Sequence, residues 1–139
     1  MKIRRPRRPR DFRPADTAQQ IVGGFLLAGP FVVTEEVWVL AGVMGRLQWA
    51  VVVAMVVAIG WGALYRADSG RDADDETELA GIPSRFLTLM LVSFGSVLVL
   101  AYSFAAPEAF DADAAQTGKA VSIGAVFAVV GAATADSVF

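Results

Sequence analysis

Residues 47–65 read LQWAVVVAMVVAIGWGALY, nineteen positions without a charge. A helix crossing a bilayer needs roughly 20 apolar residues. Arg46 stands just before this run. Trp49 marks one boundary and Trp61 and Tyr65 the other, as aromatic side chains do at the two faces of a membrane. Working outward, the same signal recurs at 21–44, 86–105 and 117–138, with polar segments between. The chain of 139 residues is 55% hydrophobic with a mean hydropathy of +0.54, above the roughly 45–50% apolar content of soluble domains. Four spans use most of the chain. The expected fold is therefore all-α: a polytopic membrane protein with a four-helix transmembrane bundle at 17–139, preceded by a basic arm at 1–16.

The first expected span begins after Thr17, a good N-cap residue, and holds Pro30 near its middle with Glu35 and Glu36 just beyond. The turn Gly45-Arg46 connects it to the second. The connection 66–85 carries Asp72, Asp74, Asp75, Glu76 and Glu78, and reads as a solvated loop. Pro107 to Gln116 is a second acidic connection. Seven of the twelve basic residues lie in the first thirteen positions, broken by Pro6 and Pro9, so a helix is disfavoured there. The arm reads as an orientation signal, with contact to anionic lipid as its second reading. A twin-arginine export signal does not fit, because prolines interrupt the pair and no small-residue cleavage site ends the apolar run. The arm and the connection after span two together hold ten basic residues against two, Arg46 and Lys119, on the other side. This excess places both termini in the cytoplasm.

The sequence has no cysteine and no histidine, which excludes disulfides, thiolate nucleophiles and histidine acid–base or metal chemistry. It has no phosphate loop and no nucleophile motif. No cofactor, metal, nucleic acid or enzymatic activity is expected. Lipid tails are as apolar as leucine, so spans associate through small residues that let backbones approach. Two rows spaced by four fit this: Ala50, Ala54, Ala58 and Gly62 on span two, and Gly124, Ala128, Ala132 and Asp136 on span four. The rows do not reveal whether the partner is another helix of the chain or another copy, and a thin bundle points to a homo-oligomer. Lys119 is expected to reach outward to the headgroups.

Glu35 and Glu36 carry the functional reading. A charged residue at mid-bilayer costs on the order of 2.5–3.5 kcal/mol on insertion scales, so two adjacent acids there must be protonated, paired or in contact with water. On a straight helix Glu35 shares a face with Gly24, Ala28 and Gly42, and Glu36 lies nearer Gly29 and Leu40. Pro30 frees the carbonyl of Leu26 and should kink the helix. Thr34 and Trp38 form a neighbouring stripe, and Asp136 stands near the cytoplasmic end, either as the inner end of a path or paired with Arg13, Arg66 or Arg85.

The string Gly29-Pro30-Phe31-Val32-Val33-Thr34-Glu35-Glu36-Val37-Trp38 resembles a family of uncharacterised integral membrane proteins of halophilic archaea. A related bacterial group carries Pro, then Thr-Met-Glu, then Trp at the same spacing, matching Pro30, Thr34, Glu36 and Trp38 and departing at Glu35. The resemblance covers the first span and implies a membrane location and a halophilic source, which the lysine-poor, acid-rich connections also suit. It implies no activity. Two functions follow as expectations. One is an oligomeric proton or small-cation channel or transporter using Glu35, Glu36, Thr34 and Asp136. The other is a non-catalytic structural or regulatory membrane subunit that binds protein or lipid partners.

Overall fold

The computed structural model describes residues 14–66, 78–79 and 82–138; the basic arm up to Arg13 and most of the acidic connection lie outside the described residues. Six helices follow in order: α1 (Pro14–Val32), α2 (Glu35–Val43), α3 (Arg46–Trp61, continued by a π turn at Gly62–Arg66), α4 (Ser84–Ser103), α5 (Ala106–Ala109) and α6 (Ala114–Val138). The remaining regular structure is a two-residue antiparallel ladder, Glu78–Leu79 against Ile82–Pro83. The described chain is thus all-helical apart from that ladder. α3 with its π turn, α4 and α6 are each long and apolar enough to cross a membrane, and α1 with α2 makes a fourth if that bent pair is one crossing. This is consistent with a multi-pass membrane protein.

α6 is the central element and α1 its main partner. The reason is glycine. A Cβ built on Gly23 would run into the carbonyl oxygen of Gly131, and one built on Gly131 would run into that of Gly23. Small-residue contacts of this kind replace the hydrophobic drive that lipid cannot supply. The expected row on α6 works here: Gly124, Ala128 and Ala132 are all buried, with Val97 of α4 pressed onto Gly124. Phe31 of α1 stacks on Phe127 at 4.0 Å between ring centroids.

The row on α3 does not do the same. Ala50, Ala54 and Ala58 are exposed, and a Cβ on Gly62 would meet nothing within 4 Å. On a helix of 100° per residue the row occupies the centre of the face turned away from the bundle. Val56 and Gly60 on the opposite face make the contact, with Gly60 against Met90, Leu89 and Val129.

The first expected span requires correction. The stretch 21–44 is not one helix. α1 starts earlier, at Pro14, and the chain turns by 80° between Val32 and Glu35. Pro30 lies inside α1, and the break comes three residues later. At that break Thr34 donates both its hydroxyl (2.7 Å) and its amide (3.1 Å) to the carbonyl of Phe31. Trp38 Nε1 donates to the carbonyl of Val32 at 2.8 Å. The bend leaves carbonyls of the last turn of α1 without their helical donors, and these two side chains supply replacements. The other spans differ from expectation only by a few residues at their ends.

Candidate functional site

The structure relocates the carboxylate pair. Asp16, near the start of α1, pairs with Arg85, near the start of α4, at 3.5 Å, both side chains being almost fully buried. Val32, the last residue of α1, lies sixteen positions beyond Asp16, about 24 Å of helix at 1.5 Å per residue. Glu35 and Glu36 therefore stand at the far end of α1 from this ion pair, in the first turn of α2, and both are exposed. Neither makes an ion pair or hydrogen bond among the described residues. The expected position of the acids just past the middle of one helix 21–44 gives way to a position in the first turn of α2, beyond the end of a first helix that begins at Pro14. The straight-helix wheel fails with it: Gly24 and Ala28 are buried, whereas Glu35 and Gly42 are exposed.

Contacts between helices fix the levels. Trp49 Nε1 of α3 donates to Ser122 Oγ of α6 at 2.9 Å. Lys119 Nζ donates to the carbonyl of Met44 at 2.7 Å, and Gln116 Nε2 to that of Trp38 at 2.9 Å. One end of the bundle thus collects α2, the Met44–Arg46 turn, the short α5 and the start of α6. Its charges are Glu35, Glu36, Arg46, Glu108, Asp111, Asp113 and Lys119. The opposite end collects Asp16, Arg85 and, by position along their helices, Arg66 and Asp136; the side chains of those two lie outside the described set. Among the described residues no charge lies between the two ends.

α2 is seated firmly on its end. Trp38, 1% exposed, stacks on Phe110 at 5.6 Å beside the carbonyl of Val32 that it caps. Val37 and Ala41 are buried beneath it, while Val39, Leu40 and Val43 face outward. Thr34, Trp38 and Pro30, three of the four positions that carry the family resemblance, thus surround the bend. Their local role is to shape it.

The Asp16 end contains polar residues that sequence reasoning missed. Gln20 is fully buried, and neither atom of its carboxamide has a hydrogen-bond partner. Asp16, Gln19 and Gln20 fall at i, i+3 and i+4, one face of a helix. That spacing is visible in the sequence, but the expected boundary between arm and transmembrane domain falls after Asp16 and separates it from Gln19 and Gln20. Arg85, one of three expected partners for Asp136, pairs with Asp16; the side chain of Asp136 lies outside the described set. Among the described residues no group of three or more acids could hold a metal ion. No family model matches the chain, nor does any curated protein or solved structure.

Proposed function

We propose that the protein is a multi-pass membrane protein of four crossings, with both termini cytoplasmic, that serves as a non-catalytic subunit and assembles with further copies of itself through α3. On α3 and α6 the bounding charges are separated by 20 and 17 residues (Arg46 to Arg66, Lys119 to Asp136), about 26–30 Å of helix. This matches a hydrocarbon core of roughly 30 Å. The basic residues concentrate near the Asp16 end, which supports a cytoplasmic placement for it.

The observation that carries the assembly reading is the outward row Ala50, Ala54, Ala58 and Gly62. The same pattern on α6 is spent on α1 and α4; on α3 it is left facing away, where a second backbone can approach closely. The absence of cysteine makes the test clean. A54C in native membranes should form disulfide-linked dimers under mild oxidation. L91C, on an outward position of α4, should not. A chain that inserts normally but forms no A54C dimer, and stays monomeric in mild detergent, refutes the proposal.

The transport reading loses its original ground with the acids at one end of the bundle. Wild-type protein in proteoliposomes should move neither protons nor alkali cations. Flux that disappears in E35Q or E36Q would replace the subunit reading with the transport one.

A further inference from the structure

We infer that the Lys119 end carries a phospholipid site, in which Lys119 and Arg46 take the phosphate of a lipid headgroup beside Trp49. Lys119 does not simply reach outward. Its ammonium is held by the carbonyl of Met44 at 2.7 Å and lies 5.9 Å from the centre of the Trp49 ring. Trp49 is in turn fixed by its bond to Ser122 at 2.9 Å. The carbonyl uses one of three ammonium donors, and the full positive charge remains. Arg46 follows two residues after that carbonyl and is exposed. Among the described residues neither cation is within ion-pair distance of a carboxylate, although five acids occupy the same end.

The apolar surroundings favour a lipid over a soluble anion. Val43 and Leu47 flank the turn on either side and are 77% and 79% exposed. No other large apolar side chain among the described residues is more exposed, and each lies next to a position that presents positive charge. That pairing of a cationic step with an apolar edge fits a headgroup phosphate above acyl chains. A free phosphate approaching from water would meet Glu35, Glu36, Glu108, Asp111 and Asp113. A lipid arrives laterally, held by its own chains, and needs only the short-range contacts. A simple capping role for Lys119 at the end of α2 explains its bond to Met44, but not the unpaired Arg46 or the exposed apolar pair.

The full chain in neutral detergent is titrated with phosphatidylglycerol, and bound lipid is counted by native mass spectrometry. Each cation near a membrane surface contributes roughly a fivefold change in lipid affinity. R46Q and K119Q should each weaken the tightest lipid by about that factor with the basic arm intact, and K119R should restore it. R46Q leaves the Met44 contact untouched, so its loss of lipid cannot come from an unseated α2. Unchanged retention in both R46Q and K119Q overturns the site and assigns the lipid to the arm. Displacement of the lipid by excess inorganic phosphate overturns the lipid assignment in favour of a soluble anion.

Discussion

Replacing Gly23 by alanine tests the packing argument at its tightest point. A Cβ there would meet the carbonyl of Gly131, and would also lie 2.7 Å from both the carbonyl carbon of Gly131 and Cβ of Ala135. Carbon atoms pack at about 3.5–4.0 Å, so α1 and α6 must separate by roughly 1 Å. Overpacking typically costs about 1–3 kcal/mol. Here the obstacle is backbone, which cannot change rotamer, so G23A should cost about 3 kcal/mol, roughly a hundredfold in the folding equilibrium. G29A is the control in the same helix. A Cβ on Gly29 meets nothing within 4 Å, and alanine is the better helix former by up to ~1 kcal/mol, so this variant should be neutral or more stable. Unfolding in mixed detergent micelles, followed by tryptophan fluorescence, measures both. The double variant G23A/G131A should cost less than the two single changes combined, because one separation relieves both clashes. Equal stability of G23A and G29A, or full additivity in the double variant, would show that α1 and α6 do not meet at these glycines.

Three other predictions bear on the bend, the Asp16 end and the connection between α4 and α5. W38F keeps an aromatic ring against Phe110 but removes the donor to Val32; it should destabilise by about 1–3 kcal/mol in the same unfolding assay, and a smaller effect than W38A would separate the hydrogen bond from the ring. R85M leaves Asp16 buried without the ion pair and should cost about 3–5 kcal/mol, whereas D16L/R85M should recover most of it; thermal stability that does not improve in the double variant would contradict a buried pair. Ala105, exposed and left-handed at φ 55°, carries a penalty that glycine lacks, so A105G should raise stability by about 1 kcal/mol, with an unchanged melting temperature counting against that backbone conformation.

The sequence by itself determined the helical class, the number and approximate placement of the long apolar segments, the spacing by four of the two small-residue rows, and the exclusion of thiol and imidazole chemistry. These follow from composition and from periodicities of 3.6 residues, which are local properties. It also held the elements of the bend, since Pro30, Thr34 and Trp38 are all in the resembling string. Only the tertiary structure decided where the chain breaks and where the first helix begins. Hydropathy starts that helix at Ile21, because Asp16, Gln19 and Gln20 are polar. Arg85, sixty-nine residues away in sequence, makes Asp16 a buried residue of α1 and shifts everything after it along the helix axis. The same holds for the two small-residue rows. A helix states which residues share a face, but whether that face meets α1 or the surroundings depends on partners distant in sequence. The Gly23–Gly131 approach claims α6 for the interior and leaves the row on α3 outside.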